Sequence, residues 1–371
     1  MRFADIPSHD NVKSRLVNMV DSNRLPHALL IHGRPGVGKM MLARALAQYI
    51  HCTERSDGDS CGKCPNCIQH QTFNHIDTHF SFPVLKRGGT TISDDWISEW
   101  REFLTESPYM DFKDWLVKLD NPNGQPRMYV EESSEIMRKL NFTSHGNRQI
   151  VLMWLPERMG EETANKMLKL IEEPVGDSVF ILVSNDPEAI LPTIYSRTQR
   201  VEVVRFPDSV IEKYLVDHHG LSAPMAHAVA HLADGSILNA SRSVGNAEQR
   251  DHYLNLFQQL MRLAYQKKVS ELRSWSNEVA SLGRESSVSF LEYCERQLRE
   301  NFIYHLSAPE LIYQTPDEAQ FTTKFYRFIN ERNIEEFVER FDAAITDILA
   351  NGNAKIILFE LAVRVIMLIR K

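Results

Sequence analysis

Gly33-Arg34-Pro35-Gly36-Val37-Gly38-Lys39-Met40 lies between an apolar run, Ala28-Leu29-Leu30-Ile31, and a helix-forming stretch over 41–50. Strand, glycine-rich turn and helix in that order make a phosphate-binding loop. Its glycines let backbone N–H groups converge on phosphate oxygens at a helix N-terminus, whose dipole favours anions. Gly33, Gly36, Gly38 and Lys39 are the candidate nucleotide contacts, with Lys39 reaching the outer phosphates. The pattern G-x-x-x-x-G-K-[ST] is met everywhere but at the last position, where Met40 stands. A thioether is a poor ligand for a hard cation such as Mg²⁺. The loop can hold a phosphate tail but has lost one magnesium ligand.

A second loss follows downstream. The apolar run 149–154 reads as a strand, and in P-loop hydrolases such a strand ends in carboxylates that hold magnesium and polarise the attacking water. Here it runs into Trp154-Leu155-Pro156, and the next carboxylate, Glu157, comes too late in the chain. Between 161 and 174, Ala164, Met167, Leu168 and Ile171 form one helical face that Pro174 ends. Apolar runs at 178–185 and 199–204 read as further strands. Strands alternating with helices up to about residue 205 predict a parallel α/β layer. From Pro207 the β signals stop, and helical patterns punctuated by Gly220, Pro224 and Gly235 take over. Long helices follow, separated near Gly283, Ser307-Ala308-Pro309 and Gly352. The last, over 356–368, is apolar on most of its circumference and is expected to be buried in its own domain or against neighbouring chains.

Four of the five cysteines, Cys52, Cys61, Cys64 and Cys67, fall in one short stretch with the spacing C-x8-C-x2-C-x2-C. Thiolates so placed can converge on one tetrahedral zinc ion, and Gly62 and Pro65 suit the tight turns required. The alternatives are unpaired surface thiols and a redox C-x-x-C pair. Exposed free cysteine is generally avoided, and two overlapping C-x-x-C units favour metal over redox chemistry. No open ligand position is evident, so the zinc would be structural. His51, His70, His75 and His79 lie nearby, but four thiolates already complete a tetrahedron, so they read as surface or packing residues. Cys294, in the helical pattern Phe290, Cys294, Leu298, reads as core.

Between the cysteines and the helix expected over 131–140, the stretch 77–82 alternates like a strand, 86–89 reads as a turn and 121–124 as a loop. Trp96, Trp100 and Phe103 fall on an amphipathic helix. The segment from about 81 to 123 is longer than such a connection needs. Its aromatic residues suggest a partner surface or, more commonly, packing of an insertion onto its host domain.

At 371 residues the chain has room for two or three domains. A net charge of −7 argues against a basic nucleic-acid-binding surface over the whole molecule while allowing a local patch. No apolar run approaches the roughly 20 residues that cross a bilayer, and Met1-Arg2-Phe3-Ala4-Asp5 lacks the apolar core of a secretion signal. A reducing cytoplasmic location without structural disulfides is expected.

Four signals occur in order: Leu25-Pro26-His27-Ala28-Leu29-Leu30-Ile31-His32-Gly33 running into the loop, then the cysteine cluster, then Glu157-Arg158-Met159 followed by 164–174 ending in Glu172-Glu173-Pro174, then Ser196-Arg197-Thr198. Together, across most of 4–205, they resemble the bacterial clamp-loader ATPase family of AAA+ proteins. The last stands where the family has Ser-Arg-Cys. The resemblance implies an α/β P-loop (AAA+) domain with a parallel sheet over 1–205, carrying an inserted zinc module (52–67) and an insertion near 81–123. A small helical lid domain over 206–246 and an all-α collar domain over 247–371 would follow.

Motor members of the family keep the acidic pair and bind ATP. Here Trp154 and Leu155 occupy its places, and Leu238 stands where motors carry the lid arginine that senses the γ-phosphate. The chain is thus similar to the non-motor members. It is expected not to be an ATPase on its own, with ATP or ADP binding at the degenerate loop left open. Arg197 is by resemblance an arginine finger offered in trans to ATP on an adjacent motor subunit, a device worth about 10³–10⁵ in rate in studied systems. The plain alternative is that Arg197 caps a helix or pairs with a surface carboxylate. The implied partners are motor subunits and a clamp-opening subunit in a hetero-pentamer, a sliding clamp, and primed DNA through the complex, with no membrane. Three rivals stand beside this reading: an active ATPase of the same fold, a zinc-containing DNA-binding module with a relic P-loop, and a thiol redox protein.

Overall fold

Five strands among the described residues form one sheet: β1 (Ala28–His32), β2 (Thr78–Ser81), β3 (Gln149–Trp154), β4 (Ser178–Ser184) and β5 (Gln199–Glu202). Their order is β2-β3-β4-β1-β5, and every neighbouring pair is parallel. The central strands are continuous apolar runs because a parallel sheet is covered on both faces; β3 and β4 are buried at every residue. The computed structural model describes residues 1–371 except 87, 90, 107, 122–123, 143–147, 246, 309–311 and 351. Parts of the turn expected at 86–89, the loop at 121–124 and the break at Pro309 therefore lie outside the described residues.

The helices that accompany the sheet are α1 (Asp10–Asp21), α2 (Lys39–His51), α3 (Pro65–Gln71), α4 (Ile97–Glu106), α5 (Phe112–Lys118), α6 (Val130–Leu140), α7 (Glu161–Glu172) and α8 (Pro192–Tyr195). Leu30, Val151, Met153, Phe180 and Leu182 of the sheet pack with Ile136, Leu140, Met167 and Leu170 of α6 and α7. α2 is buried along its whole length, so its ends are fixed with respect to the sheet. Helices α3 and α5 were not legible in the sequence. Each is seven residues long, too short to show a periodic apolar face.

Register places the functional elements. His32 pairs with Ser184, and Trp154 with Val183, so the P-loop and the ends of β3 and β4 meet at the carboxyl edge of the sheet, where α/β folds bind ligands.

The chain divides into two compact units, one formed by Met1–Tyr214 with Ala233–Ala240, the other by Leu215–Leu232 with Ser241–Lys371. The stretch 206–246, read from the sequence as a lid, holds α9 (Asp208–His219), α10 (Ala223–Leu232) and α11 (Ile237–Gly245), and contributes to both units. The second unit is otherwise built of α12 (Ala247–Tyr265), α13 (Val269–Ser281), α14 (Arg284–His305), α15 (Pro316–Phe325), α16 (Ile334–Leu349) and α17 (Ala354–Leu368). Phe257, Trp275, Phe290, Phe337 and Leu361 share its core, as does Cys294.

The burial expected for the last helix is met on one face within its own unit. α17 buries Leu358, Leu361, Ala362 and Val365, but Ile356 and Met367 are exposed, so only one face of this apolar helix is covered within its unit. No helix among the described residues is long and apolar enough to cross a membrane.

Candidate functional site

Gly36 and Gly38 have φ of 78° and 82°, left-handed backbone that a side chain would strain, and Gly38 caps the N-terminus of α2. The loop thus keeps its phosphate-cradling backbone. Its side chains face inward. Lys39 is 5% exposed, and its Nζ donates to the Arg34 carbonyl 2.5 Å away. Burial lowers its pKa to about 7, an effect that the charges of Glu157 and Asp111 partly offset. Met40 is buried.

The loop's carbonyl groups are held by neighbouring segments of the same unit. A Cβ at Gly36 would come within 2.1 Å of Ser236 Oγ and 2.6 Å of Leu238 Cβ. Ser236 Oγ donates to the Pro35 carbonyl at 3.1 Å, and the Ile237 amide donates to the Gly36 carbonyl at 3.2 Å. The His9 ring lies tilted against Phe206 with centroids 4.4 Å apart, and its Nε2 donates to the Val37 carbonyl at 3.0 Å. Burial depresses the His9 pKa.

At the end of β3, Trp154 is 2% exposed and packs on Trp100 at 5.2 Å and Phe103 at 5.9 Å. Leu155 takes φ 57°, a left-handed turn unusual for a leucine, and is also buried. Glu157, too late in the chain to be the strand-end acid, still lies close to the site. The turn brings it back to the carboxyl edge, where Oε1 accepts from the Asn185 amide at 2.9 Å and the Asp186 amide at 3.3 Å. Burial raises its pKa, and its Oε2 is buried without a hydrogen-bond partner. Through-chain distance hid its influence on Lys39; no local signal in the sequence reveals it.

Arg197 lies just after α8, half-exposed, ion-paired through Nε with Glu172 at the end of α7. Its Nη1 donates to the Thr193 carbonyl at 3.0 Å. The plain alternative, pairing with a surface carboxylate, is therefore present in this chain. Glu172 escaped the sequence reading although it sits in the quoted Glu172-Glu173-Pro174 segment. Arg197 and the Lys39 loop are not brought together by any contact described.

At the far end of α2, Cys52 is the C-cap, and Cys61, Cys64 and Cys67 join it so that all four sulfur atoms lie within 4.8 Å of one another. Cys61 Sγ and Cys67 Sγ are 4.0 Å apart. A tetrahedron with Zn–S of about 2.3 Å requires S···S near 3.8 Å. The Cys61 amide donates to Cys52 Sγ at 3.2 Å and the Cys64 amide to Cys61 Sγ at 3.3 Å, bonds that favour thiolate. Burial pushes the Cys52 and Cys67 thiols up. Burial also acts upward on Cys64, but hydrogen bonds from the Thr53 and Cys67 backbones bring it down to about 6. All four are free of disulfides, and three are buried, so this donor set fits a structural zinc ion.

His51, His70 and His75 also cluster. The His51 and His75 rings stack 4.0 Å apart with planes only 8° from parallel. Ring lone pairs lie in the ring plane, so two stacked, near-parallel rings are poorly aimed at one shared ion. His51 Nε2 donates to the Arg148 carbonyl at 2.7 Å, leaving Nδ1 to accept from His70 Nε2 at 2.8 Å. Burial holds His51 down to about 3 and His70 to about 2. These rings pack as neutral imidazoles; the surface alternative does not apply to His51 and His75, which are buried.

Comparison with known proteins gives a consistent result. The family model described as DNA polymerase III, delta subunit, matches residues 8–207. The DNA polymerase III subunit delta' of Bacillus subtilis is 26% identical over 251 residues, covering 67% of this chain and 64% of that protein. Subunit delta' of Escherichia coli is 25% identical over 222 residues, 60% of this chain and 55% of that protein. The tau/gamma subunit of Haemophilus influenzae is 24% identical over 241 residues, 63% of this chain and 29% of that protein. The match thus spans less than two thirds of each relative's length. Among solved structures, a DNA polymerase III gamma subunit-related protein of Thermotoga maritima aligns with a TM-score of 0.43 at 14% identity, over 96% of this chain and 99% of that one.

Proposed function

The chain belongs to the DNA polymerase III delta subunit family, and from that premise we propose that it is a delta'-like, non-motor subunit of the replicative clamp loader. In this reading it forms a hetero-pentamer with motor and clamp-opening subunits, in the cytoplasm, and helps place a sliding clamp on primed DNA. The observation that carries the non-motor assignment is the burial of Trp154 and Leu155 where a hydrolytic site needs carboxylates. With Met40 at the other magnesium position, neither the P-loop hydroxyl nor the strand-end acid that normally holds the cation is present. The chain then serves as a fixed arm of the polymerase III assembly and completes a neighbour's ATP site.

Arg197 is the residue offered in trans. Half-exposed at the turn after α8, with its guanidinium oriented by Glu172 and the Thr193 carbonyl, it is available to a γ-phosphate on an adjacent subunit. A carboxylate partner at the surface is exchanged for a phosphate at little cost, since exposed pairs are worth about 0–1 kcal/mol. Zinc at Cys52, Cys61, Cys64 and Cys67 would support the fold by fixing the end of α2. The three-part organisation, with a P-loop domain, a lid and a collar, belongs to the same proposal.

The test is ATP turnover by the purified chain, alone and then with motor and clamp-opening partners. No turnover alone, and partner turnover that falls with Arg197→Ala, is the expected result. Sustained turnover by the isolated chain, lost in Lys39→Ala, would replace this reading with that of a motor.

A further inference from the structure

The insertion near 81–123 has no part in the role just proposed, yet it is firmly built into the P-loop unit. Trp100 and Trp115 are fully buried, Phe82 stacks on Trp100 with centroids 4.1 Å apart, and Trp115 Nε1 donates to the Pro83 carbonyl at 2.8 Å. Between α4 and α5 the chain turns back over the P-loop. The Tyr109 ring, 7% exposed, lies on Gly38, where a Cβ would be 3.7 Å from its Cε1. It makes edge contacts with Phe206 at 6.1 Å and Tyr214 at 5.6 Å. Asp111 caps α5, accepting from the Phe112 amide at 2.6 Å, and its charge acts on Lys39. Phe112 lies under the Arg158 guanidinium at 4.0 Å, next to Glu157.

We propose that the insertion is the resident occupant of the degenerate nucleotide site: Tyr109 covers Gly38 of the P-loop, Asp111 follows two residues on as the cap of α5, and Trp100 with Phe103 packs on Trp154 at the end of β3. A buried lysine without a counter-charge is costly. In a motor, nucleotide meets that need; here the charge of Glu157 acts on Lys39 first and that of Asp111 second. Tethering makes the occupant's effective concentration high. A free nucleotide binds only the fraction of molecules in which the segment has swung away, and its apparent affinity falls by that fraction. The subunit therefore keeps one arrangement of its P-loop whatever the nucleotide concentration. The inference deepens the non-motor reading, but it can fail separately from it.

The experiment uses the full chain and a fluorescent methylanthraniloyl-ADP, with and without Mg²⁺. The wild type should give no saturable signal. Tyr109→Ala with Asp111→Ala should bind at least ~10-fold more tightly, and adding Lys39→Met should abolish that binding. Saturable binding by the wild type equal to the variant's overturns the proposal, as does a folded double variant no better than the wild type. Should the double variant not fold, amine acetylation with mass-spectrometric readout decides the question. Lys39 should be far less labelled than the exposed Lys63 in the wild type, and several-fold more labelled in Tyr109→Ser; equal labelling of Lys39 and Lys63 in the wild type overturns the proposal. Nucleotide binding without turnover would remove only the resident occupant, whereas turnover would remove the non-motor reading as well.

Discussion

At the C-terminal end of α2, Cys52 joins three other cysteines whose sulfur atoms converge within 4.8 Å. At its N-terminal end, Lys39 sits in a loop whose would-be metal ligands are a thioether and an indole. Both are ligand sites anchored on one buried helix, but they are made of different material. The thiolate site consists of side chains, so it exists only while all four are kept. The glycine loop consists of backbone held by Gly36 and Gly38, so its shape does not depend on whether magnesium-ligating side chains stand beside it. A degenerate site of the second kind leaves a cavity and a buried cation, and both must be filled. Ser236 and Leu238 pack at Gly36, Tyr109 packs at Gly38 and Trp100 on Trp154, while the charges of Glu157 and then Asp111 act on Lys39.

The contrast is broken most directly at the cysteines. The purified chain should contain one zinc per molecule, and chelation or Cys64→Ser should cost at least ~4 kcal/mol, read by thermal melting. A metal-free chain, or a variant that melts with the wild type, would make both ends of α2 relics. Restoring an acid at the other end should also be costly. Trp154→Asp puts a carboxylate into an aromatic cluster, and a loss of ~3–5 kcal/mol without any gain in ATP turnover is expected. Magnesium-dependent turnover in that variant would show that the site is only one residue from activity.

Lys39 gives a smaller effect with a defined pH dependence. Its folded pKa is lowered to about 7 from 10.5, so below pH 7 the folded state holds a buried proton at a cost. Between pH 7 and 10.5 the unfolded state binds more protons than the folded state, and stability rises with pH as that cost disappears. Lys39→Met should therefore stabilise the chain by ~1–3 kcal/mol at pH 6 and by less at pH 10. A gain independent of pH would mean that Lys39 is not the group responsible. Glu172→Gln should be the quietest change, within ~0.5 kcal/mol by denaturant titration; a larger loss would identify the Arg197–Glu172 pair as structural.

Much of this was legible in the chain. The Ala28–His32 strand, its glycine loop, the cysteine spacing and the β3 and β4 runs are local patterns, because periodicity and turn chemistry act over a few residues. Local sequence also fixed what was missing, since Met40 and Trp154 cannot ligate magnesium wherever they are placed. Only the tertiary structure decided what replaced it. Tyr109 meets Gly38 across some seventy residues of chain, and the backbone turn at Leu155 carries Glu157 back to the carboxyl edge of the sheet. Such contacts depend on sheet order and on how an insertion folds over its host, neither of which has a period or a spacing to read. The same holds for the stacked imidazoles of His51, His70 and His75. Local patterns set the elements and the ligand types available; long-range packing set which residues lie against the glycine loop and the end of β3.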